Sequence, residues 1–342
     1  MSKINLLGFT LEQLKSEFLK TGLTDLDAKR VFPWIHVKLA QSFNSMSDVP
    51  LNVRDFLQSN YSIDRPECST VQKSSDETQK ALLKLEDGNC IETVLIPEAK
   101  RTTVCVSSQI GCPIGCKFCY TGTQKFVRNL TSSEIISQIF FWKDRFEKPI
   151  TNIVFMGMGE PLLNFENLSN TIELLLDEKA HNFSRHKITV STSGVIENEI
   201  INLARWGIKL AISLHASNDE KRSYLMPINK KYDIKTLLTA AKKYQKISRT
   251  DHITFEYLLL KDINDTDSDA SELIKLLKFI RCKVNLITFN SWLGSQFIGS
   301  DGNRVQNFLS TLLSSGIRAI VRKSRGNDIL AACGQLKGRS SR

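Results

Sequence analysis

The regular alternation of short apolar runs with amphipathic segments restricts the fold of this chain of 342 residues more than any other feature. Aliphatic and β-branched runs predict seven strands, and apolar residues at helical spacing predict a helix after each of the first six. The predicted strands are residues 102–107, 152–156, 188–191, 208–214, 253–260, 284–289 and 317–321. The predicted helices are residues 131–146, 166–178, 196–205, 234–247, 268–280 and 304–314. Repeated βα units indicate a parallel sheet, so the predicted fold class is α/β, with a partial (β/α)6 barrel.

Two smaller regions precede this series. Apolar residues recur at helical spacing between residues 10 and 60, as in Leu11, Leu14 and Phe18, which predicts helices. The apolar runs 81–85 and 90–97 flank a turn and predict a β-hairpin. The predicted domains are an N-terminal helical accessory domain, a β-extension, a barrel core and a basic tail, at residues 1–62, 63–97, 98–336 and 337–342, respectively.

Composition indicates an ordinary soluble protein with a basic surface. Hydrophobic residues make up 41% and charged residues 24% of the chain, which suffices for a sizeable core. We expect no membrane span, because no apolar run approaches the roughly 20 residues that one requires. The first residues lack the order of a signal peptide, so we expect a cytoplasmic location. The net charge of +10 suits a polyanionic partner such as nucleic acid.

Three of the eight cysteines are clustered. Cys112, Cys116 and Cys119 form a C-x3-C-x2-C pattern with no fourth cysteine close behind it. Three thiolates can hold a four-iron cluster through three of its irons and leave the fourth iron open to a ligand. The alternative is a zinc site completed by Cys105 or a histidine, although zinc sites favour paired C-x2-C motifs.

Unusual polar motifs follow several of the predicted strands. They are residues 157–161, 191–194 and 213–215, together with Asn290. Because active sites of such barrels lie at the carboxyl ends of the strands, we expect these motifs to meet at one mouth. Glu160 is a candidate to receive the ammonium group of a ligand. The alternatives are a tight turn at Gly157–Gly159 and a structural role for His215.

Cys333, Cys105 and Glu92 are further candidates. Cys333 lies between small residues and shortly after the basic run Arg322–Arg325, a setting that favours a reactive thiolate, although a lone cysteine is more often buried and inert. Cys105 lies just before the cysteine cluster, where it could meet Cys333. Glu92 is either a surface strand residue or an inward-facing carboxylate among apolar neighbours.

Basic residues occur in small groups, and those near strand ends are candidates for a rim that binds phosphates. The groups are Lys125 and Arg128, Arg185 and Lys187, Lys230 and Lys231, Arg322, Lys323 and Arg325, and Lys337 and Arg339. In the N-terminal region, Lys29, Arg30, Trp34 and Lys38 form either a second nucleic-acid contact or the surface of a helix packed on the barrel.

With these motifs assembled, the chain resembles the RlmN/Cfr family of radical S-adenosylmethionine RNA methyltransferases from about residue 24 to 336. The resemblance rests on residues 105–109, the three clustered cysteines, and residues 155–162, 189–194, 213–216, 225–232, 284–287 and 321–336. The chain departs from the family pattern at residues 291–297, where a proline-rich turn is usual, and at Asn327, where Asp is usual.

The resemblance implies two cofactors. Cys112, Cys116 and Cys119 would ligate a [4Fe-4S] cluster whose free iron binds the amino and carboxylate groups of S-adenosylmethionine. The residues that match the family's positions for holding S-adenosylmethionine are Gly159, Glu160, Ser191, Ser213, Leu214, His215 and Asn290.

The resemblance also implies a radical mechanism, because C2 of adenine is not nucleophilic. Cys333 would take a methyl group from one S-adenosylmethionine, and a radical from a second would abstract hydrogen from that methyl group. The resulting carbon radical would add to the adenine ring. Glu92 would remove the ring proton, and Cys105 would release the product by forming a transient disulfide with Cys333.

The implied product is 2-methyladenosine at adenosine 2503 of 23S rRNA and at adenosine 37 of some tRNAs. Pro161 and residues 119–130 resemble the C2-methylating branch of the family, and methylation at C8 is the nearest alternative. A non-catalytic, zinc-stabilised RNA-binding protein is the alternative from another class. We further expect an electron donor such as flavodoxin and a monomeric protein.

Overall fold

The computed structural model describes residues 3–194, 198–248 and 253–338. The predicted start of a helix at residue 196 and residues 339–342 of the predicted basic tail lie outside the described ranges. Within those ranges, no helix combines the length and the apolar character needed to cross a bilayer.

The N-terminal region is helical, as predicted. It begins with β1 (Ile4–Asn5) and continues through α1 (Leu11–Lys20), α2 (Asp25–His36), α3 (Leu51–Asn60) and β2 (Tyr61–Ser62). Strands β1 and β2 pair in parallel and bring the two ends of this region together. Capping boxes at Thr10 and Thr24 fix the starts of α1 and α2. Leu14 and Phe18 of α1 are buried, in agreement with the helical spacing.

A β-extension of three antiparallel strands follows. Its strands are β3 (Glu67–Lys73), β4 (Gln79–Lys84) and β5 (Cys90–Glu98). The predicted hairpin is confirmed as β4 and β5, and β3 adds a strand that the apolar pattern did not indicate because most of its residues are exposed. Strand β5 then pairs with β6 (Arg101–Cys105), which joins the extension to the core sheet.

The core alternates strands and helices after a short ribbon formed by β7 (Gln109–Ile110) and β8 (Arg128–Asn129). The core strands are β9 (Asn152–Phe155), β10 (Ile188–Thr192), β11 (Lys209–Ser213), β12 (Ile253–Leu259), β13 (Cys282–Thr288) and β14 (Arg318–Arg322). The helices are α4 (Ser132–Arg145), α5 (Phe165–Leu176), α6 (Asn198–Trp206), α7 (Asp219–Leu225), α8 (Ile234–Ile247), α9 (Asp267–Leu277) and α10 (Gly302–Ser314). The short helix α7 is the one described core helix that the apolar spacing did not predict.

One ten-stranded sheet contains the extension and the core, in the order β14-β13-β12-β11-β10-β9-β6-β5-β4-β3. Its strands from β6 to β14 are parallel, whereas those of the extension are antiparallel. Within the described ranges, β3 and β14 are edge strands, so the predicted α/β fold with a partial barrel is confirmed.

Strand alternation gives the core sheet one face packed on helices and one face lining the interior of the partial barrel. In β12, Phe255 and Tyr257 are fully buried in the apolar core, while Thr254, Glu256 and Leu258 line cavities. The interior of the partial barrel therefore carries polar side chains among apolar ones.

Candidate active site

A cavity of about 150 Å³ lies at the carboxyl ends of the parallel strands. Most of the residues that the sequence singled out line it together, as expected for motifs that follow neighbouring parallel strands. These residues are Cys112, Cys116, Cys119, Gly157, Gly159, Glu160, Pro161, Ser191, Ser213, His215 and Cys333.

The cysteine loop, residues 111–122, is held in shape by its own backbone. Gly111 has a φ of 73°, and a Cβ there would lie 2.3 Å from the carbonyl oxygen of Lys125. Gly122 packs directly on the backbone of Cys116, where a Cβ would lie 2.6 Å from the carbonyl oxygen. Only glycine fits these two approaches, so the loop has one compact shape that directs its thiols to the cavity.

The electrostatics of the three thiols fit a cationic cluster. Burial raises the pKa of Cys112 to about 12. Burial also raises the pKa values of Cys116 and Cys119, with a further contribution from the other two thiols at Cys116 and from Cys333 at Cys119. Thiolate is the form that binds metal, and three buried thiolates require compensating positive charge. This donor set fits the iron of a [4Fe-4S] cluster.

Glu160 is buried and aimed at the cavity by hydrogen bonds. Its Oε1 accepts from the backbone N–H of Leu162 at 3.2 Å, and its Oε2 accepts from that of Ser193 at 2.6 Å. Burial nevertheless raises its pKa. The preceding Gly159 has a φ of 97°, and a Cβ there would lie 2.5 Å from the Gln109 side chain.

His215 is a neutral, fixed side chain. Burial lowers its pKa to about 3. Its Nδ1 accepts a hydrogen bond from the backbone N–H of Leu258 at 3.0 Å, so the neutral ring carries its proton on Nε2. Its ring meets that of Phe118 edge-on at 4.9 Å. His215 therefore has a structural role, through its hydrogen bond to Leu258, and also lines the cavity.

Arg222 organises the strand ends and was not found from the sequence. It is fully buried and donates hydrogen bonds to the carbonyl oxygens of Ser193, Ser213 and Leu214, at 2.7, 3.1 and 3.1 Å. The Leu214 side chain points into the core, and its backbone alone faces this network. Since Arg222 stands on α7, the helix that was not predicted, no local pattern marked it.

The Cys333 loop, residues 326–338, brings an exposed thiol to the same cavity. Asn290 donates from Nδ2 to the carbonyl oxygen of Cys333 at 3.3 Å, and Tyr120 N–H donates to that of Gly334 at 2.7 Å. Asn327, one of the departures from the family pattern, accepts from Gln335 at 2.8 Å within the loop. All eight cysteines lie within the described ranges and are free thiols, so the disulfide between Cys105 and Cys333 is not formed in this structure.

The other departure, residues 291–297, packs on the cysteine loop. The Trp292 ring stacks on the ring of Tyr120 with centroids 4.6 Å apart, and its Nε1 donates to the carbonyl oxygen of Phe118 at 3.1 Å. This segment therefore supports the cysteine loop by aromatic contact.

Glu92 belongs to a buried ion pair that holds the Cys333 loop. Its Oε1 lies 2.9 Å from Nζ of Lys80, which also donates to the carbonyl oxygen of Leu330 at 3.1 Å. Its Oε2 accepts from the backbone N–H groups of Lys337 and Gly338, at 2.5 and 3.2 Å. We name this pair the Lys80–Glu92 clasp. Among the described residues, Glu92 is inward-facing but stands outside the walls of both cavities.

A larger cavity of about 830 Å³ extends from the thiols of Cys105, Cys119 and Cys333 to the amino ends of the strands. Burial raises the pKa of Cys105 to about 12, with a smaller contribution from the charge of Cys333. Asn290 and Arg322 also line this cavity. Cys333 thus lies on the wall that the two cavities share.

The far end of the larger cavity is basic. Arg101, Lys209 and Lys283 line it there, and we name these three cations the basic mouth. Arg101 forms an ion pair with Glu98, which lines the same cavity. Burial lowers the pKa values of Lys209 and Lys283, and repulsion from Arg101 adds to this at both, while the charge of Glu256 opposes it at Lys283. These three cations lie at the amino ends of β6, β11 and β13. None of them belongs to the groups of basic residues named from the sequence, because the sequence does not show which side chains point into the barrel.

Two family profiles match consecutive parts of the chain. Residues 4–63 match the ribosomal RNA large subunit methyltransferase N-terminal domain. Residues 106–277 match the Radical SAM superfamily and include the cysteine loop and β9 to β12.

Relatives are similar along nearly the whole chain. The dual-specificity RNA methyltransferase RlmN of Jannaschia sp. (strain CCS1) is 40% identical over 356 residues, covering 99% of this chain and 91% of the relative. The protein of the same name from Zymomonas mobilis subsp. mobilis is 43% identical over 354 residues, covering 99% and 90%. The crystal structure of a radical SAM methyltransferase from Sphaerobacter thermophilus has a TM-score of 0.93 and 38% identity, and the match covers 98% of this chain and 100% of that one. The chain therefore belongs to the RlmN family of radical S-adenosylmethionine RNA methyltransferases.

Proposed function

We propose that the protein methylates C2 of adenosine 2503 in 23S rRNA and of adenosine 37 in a subset of tRNAs, with Cys333 as the methyl carrier. The observation that carries the proposal is the exposed Cys333 thiol on the wall shared by the two cavities. One cavity suits the cofactor and the other suits the substrate base. Because the family consists of enzymes, the non-catalytic zinc-stabilised alternative is wrong.

The residues proposed to hold the two cofactors lie around the small cavity, and Asn290 extends this set to the wall of the larger cavity. Cys112, Cys116 and Cys119 would bind the [4Fe-4S] cluster, and Glu160 would accept hydrogen bonds from the ammonium group of S-adenosylmethionine. Gly159, Ser191, Ser213, Leu214, His215 and Asn290 are the remaining residues proposed to hold that molecule. When bound, the two cofactors supply the methyl group and a radical that can abstract hydrogen.

Cys333 must be a thiolate to accept a methyl group, and Arg322 supplies positive charge beside it. The charge of the Cys333 thiolate is the largest of the causes that raise the pKa of Arg322. Methylation converts the thiolate into a neutral thioether and so removes one negative charge from the neighbourhood of Arg322.

Release of the product requires two more groups of this chain. Glu92 would take the ring proton of the adduct while one electron passes to a one-electron acceptor, which the bound cluster would supply. The Cys105 thiolate would then attack the Cys333 sulfur. That attack forms an S–S bond and breaks the bond between sulfur and the methylene carbon, which takes up a proton to become the methyl group. It leaves a disulfide for an external thiol to reduce. Because the clasp engages both oxygens of Glu92, we infer that the Cys333 loop moves before Glu92 acts.

The larger cavity would receive the substrate base. A base must leave its stack to reach Cys333 inside the barrel, and the basic mouth provides cations for the phosphates that flank it. The net charge of +10 supports the same partner. An electron donor such as flavodoxin, a monomeric state and a cytoplasmic location stay predictions.

Nucleoside mass spectrometry of 23S rRNA and tRNA, from cells with and without the protein, tests the proposal. We expect 2-methyladenosine that depends on the protein. Finding 8-methyladenosine would move the assignment to C8, and finding neither nucleoside would overturn it.

A further inference from the structure

We propose that Glu256 and Asn285 bind the exocyclic amino group of the target adenine. This inference rests on the proposed function and adds the residues that select the base. Neither residue belongs to the cofactor set or to the cysteines discussed above. Their role is to distinguish adenine from bases that lack this amino group.

The two residues are neighbours inside the barrel. Glu256 of β12 and Asn285 of β13 are register partners in the parallel sheet, and both side chains line the larger cavity. Asn285 donates from Nδ2 to Oε1 of Glu256 at 2.9 Å. Glu256 is only 4% exposed, so water does not solvate its carboxylate freely.

The two remaining oxygens of this pair are unsatisfied. Within the described parts of the chain, Glu256 Oε2 and Asn285 Oδ1 are buried and have no hydrogen-bond partner. Nη1 of Arg322 lies 3.9 Å from Glu256 Oε2, which is too long for a hydrogen bond. A buried acceptor without a donor is unfavourable, so this pair is built for donors that the chain does not provide.

The position of the pair matches the path of a base. Both residues line the cavity that also contains Cys105 and Cys333, and Glu256 additionally lines the small cavity. Thr254 lies two residues before Glu256 on β12, and Lys283 lies two residues before Asn285 on β13. Both side chains line the same cavity and are closer to the amino ends of their strands. The pair therefore lies between the basic mouth and the sulfur of Cys333.

Two unpaired acceptors on neighbouring side chains suit an amino group that offers two N–H donors. Adenine carries such a group at C6, on the same six-membered ring as C2, and carboxamide and carboxylate side chains are established partners for the amino groups of bases. Guanine places a carbonyl oxygen at the same ring position, which would oppose the two acceptors without a hydrogen bond. A site of this kind rejects a ligand that lacks the donor because its buried acceptors stay unpaired.

The test is a cycle that combines a side-chain change with a base change. Methylation by wild-type protein and by Glu256→Gln is measured on an RNA hairpin with adenine at the target and on one with purine, which lacks the amino group. We expect kcat/KM to fall about 10- to 100-fold when either partner is removed, and little further when both are removed. Any intrinsic difference in reactivity between the bases appears with both proteins and cancels.

Asn285→Ala provides a second variant, and Thr254→Val is the matched control because Thr254 lines the same cavity two residues before Glu256. We expect Asn285→Ala to lose the discrimination and Thr254→Val to keep it. Iron content and cleavage of S-adenosylmethionine without RNA should not change in any of these variants.

If the losses in kcat/KM from Glu256→Gln and from purine simply multiply, while the wild-type protein still forms 2-methyladenosine, this inference is overturned but the proposed function is not. A parallel loss of S-adenosylmethionine cleavage without RNA would also overturn it, because the pair would then serve the cofactor. Failure of the wild-type protein to methylate either hairpin or cellular RNA would overturn the proposed function as well.

Discussion

The cysteine loop and the Cys333 loop deliver thiols to the same cavity but are stabilised in different ways. The cysteine loop depends on close backbone contacts at Gly111 and Gly122. The Cys333 loop has close glycine contacts only at its two ends, where a Cβ on Gly326 would lie 2.8 Å from the Thr78 side chain and one on Gly338 would lie 2.7 Å from the carbonyl oxygen of Cys90. Between these ends it depends on polar contacts with distant strands, chiefly the Lys80–Glu92 clasp. A loop with fixed backbone suits the proposed set of cluster ligands, whereas releasable contacts suit the proposed role of Cys333, which would meet a cofactor, a base and Cys105 in turn.

Removing one thiol of the cysteine loop should have the largest effect. We expect Cys119→Ser to lose the cluster and to methylate RNA at a rate reduced by more than about 100-fold. That is the largest loss typical for removal of a group that only hydrogen-bonds to a metal ligand. Iron and sulfide content, visible absorbance and methylation are the measurements, with Cys282→Ser as the control. A Cys119→Ser protein with full iron content would remove the cysteine loop from the ligand set.

Removing the thiol of the Cys333 loop should separate the two loops. We expect Cys333→Ala to abolish methyl transfer to RNA while the iron content stays at the wild-type value. The measurement is nucleoside mass spectrometry together with iron analysis. Continued methylation by Cys333→Ala would exclude the carrier role, and loss of iron would mean that the loops are not independent.

Breaking the clasp should release the Cys333 loop and leave the cysteine loop in place. Lys80→Met leaves the Glu92 carboxylate buried without its cation, which typically costs about 3–5 kcal/mol of unfolding free energy. Urea unfolding measures this loss, and limited proteolysis should show new cleavage within residues 326–338. Lys84→Met changes an exposed lysine of the same strand and should do neither. Unchanged protection of the Cys333 loop in Lys80→Met would contradict the clasp.

Two glycine variants compare the backbones directly. Gly111→Ala places a Cβ on a residue with left-handed backbone angles and in contact with the Lys125 carbonyl, so we expect the free energy of unfolding to fall by about 2–4 kcal/mol. At Gly334, with a φ of 84°, a Cβ would meet its nearest atom at 3.8 Å, so we expect only the conformational cost of about 1–2 kcal/mol. Chemical unfolding of both variants tests the difference. Equal losses would show that the backbone at Gly111 is no more tightly packed than the backbone at Gly334.

Local patterns predicted the strands and the motifs at their carboxyl ends, because alternation and turn residues act over short stretches of chain. The clasp was not predictable, since it joins Lys80 and Glu92 to residues about 250 positions away. Arg222 lies on a helix too short to show periodicity. Glu256 could have been noticed in the sequence, because it is a charged residue inside the apolar run 253–260. A charge at such a position indicates an inward-facing side chain that needs a partner.

We propose above that Cys333 carries the methyl group that reaches RNA, and transfer of an isotopic label tests this role most directly. Protein methylated with ¹³C-methyl S-adenosylmethionine, then freed of it, is given RNA, reductant and unlabelled S-adenosylmethionine for a single turnover. Mass spectrometry of the nucleosides and of the peptide containing Cys333 follows the label. We expect ¹³C in 2-methyladenosine and its loss from Cys333. Unlabelled 2-methyladenosine, with the label retained on the protein, would contradict this role.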